Sequence, residues 1–159
     1  MPLIRPVQPA EHAAAGELVV AAYGTIGTGP SEGYAAQQRD VAGRSATSEV
    51  LVAELDGELA GCVTFVAGGP MSEIDDPEAA SIRMLAVTPE HHGRGVGEAL
   101  VRAGIDRARA AGRARLRLHT QRDMTAAQRL YERLGFARDP GSDFSPKPGV
   151  TLLGYVLAL

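Results

Sequence analysis

Apolar positions recur with two periods along this chain, and the changes of period mark its elements. Residues 3–7 open with a short β-rich run. Ala14, Leu18, Val19 and Ala22 then fall at helical spacing and predict a helix over 11–23. A cluster of glycines with Pro30 breaks that pattern between 25 and 33. Beyond it Ser31, Tyr34, Arg39, Val41 and Ala42 predict a second, looser helix reaching about Ser45, polar enough to suit a lid. Runs rich in β-branched residues at 49–55 and 59–66 are joined by Asp56-Gly57-Glu58, a hairpin signal. Residues 67–80, rich in Gly, Pro and acids, read as an exposed loop carrying Glu73, Asp75, Asp76 and Glu78.

The apolar strand at 82–87 follows, stopped by a Pro-containing turn. Next comes a helix with Gly97, Leu100, Val101, Gly104, Ile105 and Ala108 on one face, ending at Gly112. A glycine inside a helix costs about 1 kcal/mol relative to Ala, so Gly104 is expected to approach the sheet closely. Residues 115–120 alternate with period two and place His119 at a strand end. Ala127, Leu130, Tyr131 and Leu134 share one face of a short helix, with Thr125 and Gln128 expected as a capping-box pair and Gly135 as its left-handed terminator. The tail reads as a strand at 136–139, a Pro/Gly loop at 140–149 and a final strand at 150–159. This order predicts an α+β fold with a mostly antiparallel sheet, in one domain over residues 1–159.

Composition narrows the function classes. The chain has 159 residues, a net charge of −3 and a pI near 5.8, with neither a basic stripe nor interleaved aromatics, so no nucleic-acid partner is expected. Met1-Pro2-Leu3-Ile4-Arg5 lacks a signal pattern and no apolar run is long enough to span a bilayer, which makes a cytoplasmic location without membrane contact the expectation. Cys62 is the only cysteine and reads as a small buried hydrophobe. Adjacent His91 and His92 lack a third ligand at suitable spacing, and no metal is expected.

The informative chemistry lies between the 82–87 strand and the helix after it, at His92-Gly93-Arg94-Gly95-Val96-Gly97. Alternating glycines let the backbone turn and let a ligand approach, and the unpaired N–H groups of a helix N-terminus favour an anion. The dinucleotide fingerprint fails because Glu98 takes the place of its third glycine. The P-loop fails because no Lys stands here.

This loop resembles the acetyl-CoA loop of the GNAT superfamily of N-acetyltransferases, Arg or Gln, two residues, Gly, one residue, Gly or Ala, with His92 in place of the Arg or Gln. A second stretch, Ala127, Leu130-Tyr131 and Gly135-Phe136, resembles another signature of the family, with Met124 where its Asn would stand. The resemblance covers nearly the whole chain. It implies a GNAT-like sheet with helices on both faces, splayed open for the cofactor between strands, and acetyl transfer from acetyl-CoA to an amine acceptor. Leu85, Ala86 and Val87 are implied to pair with the pantetheine amides, His92, Gly93, Arg94, Gly95, Val96 and Gly97 to hold the phosphates, and Ala127 to line the cofactor. Because such loop contacts are mostly backbone, the His92 departure is expected to weaken binding without abolishing it.

Tyr131 falls on the family's Tyr facing the thioester sulfur. A phenol of pKa near ~10 is protonated at neutral pH and can donate to the leaving thiolate. Many members place a Glu where this chain has Ser81, which cannot serve as a base. The nearby titratable groups are Glu73, Asp75, Asp76, Glu78 and His119, and the expectation is that the rate follows the free amine, with no single carboxylate indispensable. Asp143-Phe144 is a further candidate for the acceptor pocket. The competing class is a non-catalytic acyl-CoA-binding module; nucleotide-dependent oxidoreduction is disfavoured by the glycine spacing. The family's habits also imply a possible homodimer.

Overall fold

A computed structural model describes residues 1–24, 32–68 and 76–159, so the 25–31 breaker cluster and the candidates Glu73 and Asp75 lie outside the described residues. The strands are β1 (Leu3–Pro6), β2 (Glu49–Leu55), β3 (Glu58–Val66), β4 (Ala79–Val87), β5 (Arg115–Gln121), β6 (Ala137–Arg138), β7 (Phe144–Lys147) and β8 (Val150–Ala158). They form one sheet in the order β1-β2-β3-β4-β5-β8-β6, with β7 on β8. Every pairing is antiparallel except β4 with β5. The α+β expectation therefore holds, and β7 adds a strand inside the predicted 140–149 loop.

Helices cover both faces. On one side α1 (His12–Tyr23) and α3 (Val41–Thr47) bury Leu18, Val19 and Val41 against Val50, Val52, Cys62, Met84 and Ala86. On the other, α4 (Val96–Ala110) and α5 (Thr125–Arg133) pack Leu100, Val101, Ile105 and Tyr131 on Leu51, Phe65, Ile82, Leu116, Leu118 and Tyr155. The period of two in β2 explains the split, because Val50 and Val52 point one way while Leu51, Ala53 and Leu55 point the other. Gly104 makes the expected close approach, and a Cβ there would lie 2.8 Å from Ile82 Cγ2. The β2–β3 hairpin turns on Asp56 and Gly57, both at positive φ.

Three local expectations are corrected. The single loose helix to Ser45 is two, α2 (Glu32–Arg39) and α3, because Asp40 breaks the chain and caps the second by accepting from Gly43 N–H at 2.9 Å. The second of them is a core element, since Val41 is fully buried and the buried Arg44 donates to Thr64 Oγ1 and to the carbonyls of Gln37 and Gln38. The capping box at Thr125 does not form. Met124 is the N-cap, and Gln128 Nε2 instead donates to the carbonyls of Gln121 (3.0 Å) and Arg122 (3.1 Å), tying α5 to the end of β5. Finally, the 67–80 segment is not loop to its end: Ala79 and Ala80 are buried in β4, and Asp76 is clamped by Arg115 (2.8 Å) and Arg117 (2.7 Å). A carboxylate that bridges two guanidiniums from the neighbouring strand fixes where β4 and β5 begin to pair.

Candidate functional site

The parallel pairing of β4 and β5 lasts only three residues, Ala79 to Ser81 against Arg115 to Arg117. Beyond it β4 stays bonded to β3 and β5 to β8, so the two strands part and the β5-facing edge of Leu85, Ala86 and Val87 has no strand partner among the described residues. Backbone donors and acceptors cannot stay unpaired at low cost once water is excluded, so this edge invites an extended ligand. A bulge prepares it. Cys62 pairs with Ala86 but Thr64 pairs with Arg83, so between these pairs one residue of β3, Val63, opposes two of β4, Met84 and Leu85, and Met84 takes φ +55.

The cleft so opened has a volume of about 490 Å³. Leu85, Ala86 and Val87 form one wall, His92, Gly93, Gly95, Val96 and Gly97 its end, and Ala127 of α5 the opposite side. Gly93 (φ +75) and Gly95 (φ +78) occupy the left-handed region, which a side chain would strain. The α4 ladder starts with Ala99 N–H on Gly95 O, leaving the preceding N–H groups for another partner at the positive end of the helix. His92 braces the loop from within, its Nε2 lying 3.1 Å from Val87 O. Gly97 faces α5 closely, and a Cβ there would come within 3.3 Å of Leu130 Cδ2.

Arg94 alone among the loop candidates does not line the cleft. It pairs with Asp56 at 2.9 Å in the β2–β3 turn. Tyr23 and Arg133, which local spacing had not singled out, also line it, together with Met124 and Leu130, which it had named without a role in the site. Arg133 reaches Glu98 at the start of α4 (3.3 Å), linking the two helices across the opening. The helical face of 127, 130 and 134 was a signal for Leu130, but nothing local pointed to Tyr23, which folding alone brings here.

Tyr131 lines a second, smaller cavity of about 70 Å³, which shares Tyr23, Leu85 and Met124 with the cleft and extends between the parted strands to Ser81, His119 and Thr120. The Tyr131 ring packs on Phe136 and Tyr155, at 5.7 and 5.9 Å between centroids. Burial, reinforced by Tyr155, pushes its phenol well above the ordinary value. It therefore remains a proton donor throughout the neutral range.

The other candidates are occupied or inert. Asp76 is held well below the carboxylate range by Arg115 and Arg117, Glu78 lies on Arg115 at 3.1 Å, and Asp143 is held at about 2 by Arg138 and by Gly154 N–H. Burial raises the Cys62 thiol to about 12, so it carries no nucleophile near neutrality. His91 is turned to Thr88 Oγ1 at 2.6 Å, and no group of metal-ligating residues exists among the described ones. No helix among the described residues is long and apolar enough to cross a membrane.

The fold is shared by many solved proteins. It superposes on the protein yncA of Salmonella typhimurium, solved with its cofactor acetyl-CoA, with a TM-score of 0.70 and 25% identity over 100% of this chain and 94% of that one. A GNAT-family acetyltransferase of Staphylococcus aureus matches with a TM-score of 0.80 at 13% identity, over 100% and 99%. Among curated proteins, the mycothiol acetyltransferase of Sanguibacter keddieii is 36% identical over 106 residues, 64% of this chain and 33% of that protein. That of Gordonia bronchialis is 41% identical over 63 residues, 40% and 20%. The chain thus spans a fifth to a third of the length of these two relatives. The sequence profile described as the acetyltransferase (GNAT) family matches residues 17–136, three quarters of the chain and every element around the cleft, and the protein belongs to that family.

Proposed function

We propose that this chain, a single GNAT domain over residues 1–159, transfers an acetyl group from acetyl-CoA to a primary amine of a small molecule or peptide. The observation that carries the reading is the unpaired edge of β4 at Leu85, Ala86 and Val87, aimed along a cleft that ends at the glycine loop and the N-terminus of α4. An edge strand offers amide-to-amide pairing to a pantetheine arm, and the N–H groups around Gly93, Gly95, Val96 and Gly97 offer an anion site for its pyrophosphate. Family membership, the acetyl-CoA held by the Salmonella neighbour and the acetyltransferase names of the curated relatives support it. The acceptor is argued from this chain's own site, because those relatives are several times longer.

When bound, acetyl-CoA supplies an acetyl carbon already activated as a thioester. The chain's own residues do the rest. The bulged strand presents backbone N–H groups, the donor type that stabilises charge on an acyl oxygen. Tyr131, kept protonated by burial, donates its hydroxyl hydrogen to the departing thiolate. Leu85 and Leu130 give the cleft apolar lining. The reading implies a cytoplasmic enzyme and, from the habits of the family, a homodimer, which sedimentation would test.

The deciding experiment pairs binding with turnover. Acetyl-CoA should raise the melting temperature, and CoA release should require an added amine. A melting point unmoved by millimolar acetyl-CoA defeats the cofactor assignment; binding without acetylation of any amine leaves only a binding module.

A further inference from the structure

An alkylamine near pKa 10 reaches a neutral site almost wholly protonated and cannot attack until a base takes one hydrogen. Ser81, which stands in the small cavity, cannot do so. Asp76, Glu78 and Asp143 are each tied to arginines. Of the cavity's described lining, His119 is the one side chain that offers an imidazole nitrogen as a base. Its Nε2 lies 2.8 Å from Ser142 O. A carbonyl only accepts, so Nε2 carries the hydrogen, and in the neutral ring Nδ1 is left with the lone pair.

The bracket around it is built to hold that tautomer. Ser142 N–H and Oγ both donate to Asp139 O, at 3.0 and 2.9 Å. The next residue, Asp143, is gripped by both Arg138 nitrogens (2.8 and 2.9 Å) and by Gly154 N–H (2.7 Å), while Phe144 sets its ring at 87° to the imidazole with centroids 4.9 Å apart. Beside His119, Thr120 is 3% exposed and lines the same cavity, and its hydroxyl has no hydrogen-bond partner among the described residues. A buried hydroxyl in that position is a vacant hand for a ligand or a water.

We infer that His119 is the base that takes the proton from the acceptor ammonium, with Ser142 O, held by the Asp143–Arg138 pair, as its positioning group. This rests on the acetyl-transfer reading above. The ammonium gives one hydrogen to Nδ1 and its nitrogen regains a lone pair, which forms the N–C bond to the acetyl carbon as the C–S bond breaks. The Tyr131 hydrogen goes to the sulfur, the surplus hydrogen on the new amide nitrogen returns to the Tyr131 oxygen, and His119 releases its proton to solvent. The charged groups around the imidazole are Asp143 with Arg138, Arg117 with Asp76 and Asp139, Arg115 along its own strand, and Arg83 across the cavity.

The test is the pH dependence of kcat/KM, read by mass spectrometry with benzylamine, spermidine and an alanine-initiated tripeptide as probes. Wild type should level off at a pH below the pKa of the amine. His119→Gln, which can still donate to Ser142 O, should lose about 10²-fold or more at pH 7, recover toward wild type as the pH nears the amine's pKa, and keep its acetyl-CoA melting shift. Added imidazole should restore part of the rate of His119→Gly. Asp143→Asn should move the wild-type inflection while sparing acetyl-CoA affinity. A His119→Gln rate within threefold of wild type, or a loss equal at every pH and deaf to imidazole, overturns the assignment. Should Gln at 119 unfold the chain, the wild-type profile decides, because one that follows the free amine throughout overturns it too. Binding of acetyl-CoA with none of the probes acetylated defeats the transfer reading itself, a failure distinct from that of His119.

Discussion

Ile82 and Met84 stand two residues apart on one strand and face opposite sides of the sheet. A regular strand would put both on one side; the extra residue of the bulge, with Met84 at φ +55, turns the second half of β4 over. Leu85 and Val87 thereby join the α4 and α5 side, at the cleft. Met84→Val should therefore be costly, because a β-branched residue resists positive φ, with an expected loss of ~1–3 kcal/mol and a fall in melting temperature of roughly 3–10 °C. Its acetyl-CoA shift should shrink as well, whereas Met84→Leu should do less on both counts. A Val variant that melts like wild type would show that the bulge is not under strain.

Ligand binding can be separated from folding at Gly95. Among the described residues nothing lies within 4 Å of a Cβ built there, so a substitution acts through φ +78 and by crowding the ligand. At a hundredfold excess over Kd, acetyl-CoA should stabilise wild type by about 2.7 kcal/mol, a shift of roughly 5–10 °C. Gly95→Val should keep the fold at a cost of ~1–2 kcal/mol and lose the shift. A retained shift would remove the loop from the binding site.

For Tyr131→Phe, titration calorimetry should find acetyl-CoA affinity nearly intact, since the hydroxyl is needed only as the thiolate departs. Steady-state kcat should fall at least tenfold, within the ~10²–10⁴-fold that general acids supply. An unchanged kcat would return Tyr131 to packing against Phe136 and Tyr155.

Acid should unfold the chain through three carboxylates. Glu11 is drawn down to about 2 by Arg5, Asp143 to about 2 by Arg138, and Asp76 lower still by Arg115 and Arg117. Each folded pKa lies below the unfolded value near ~4, so the stabilisation is complete above pH ~4 and is lost as the pH falls toward 2. Urea midpoints should be flat from pH 7 to 5 and then drop. Asp76→Asn should lower the plateau and flatten the fall, and an unaltered slope would mean the clamp contributes nothing to it.

The order of elements, the two glycine-marked helix ends and the hairpin at Asp56-Gly57 were legible in the chain because each is set by near neighbours: a turn that needs positive φ, or a helix that repeats every 3.6 residues. The glycine loop was legible for the same reason, and Gly93, Gly95, Val96, Gly97 and Ala127 all line the cleft. Thr125 looked like a cap because local spacing allowed it, but Gln128 found better acceptors at the end of β5. Asp76 looked like a solvated acid because its partners, Arg115 and Arg117, lie some forty residues on. What only the tertiary structure decided is the site's depth: the parting of β4 from β5 after Ser81, the bulge that turns Leu85 toward it, and the meeting of Tyr23, His119 and Tyr131 around one cavity. Strand pairing and cavity lining depend on groups distant in sequence, and no local period encodes them.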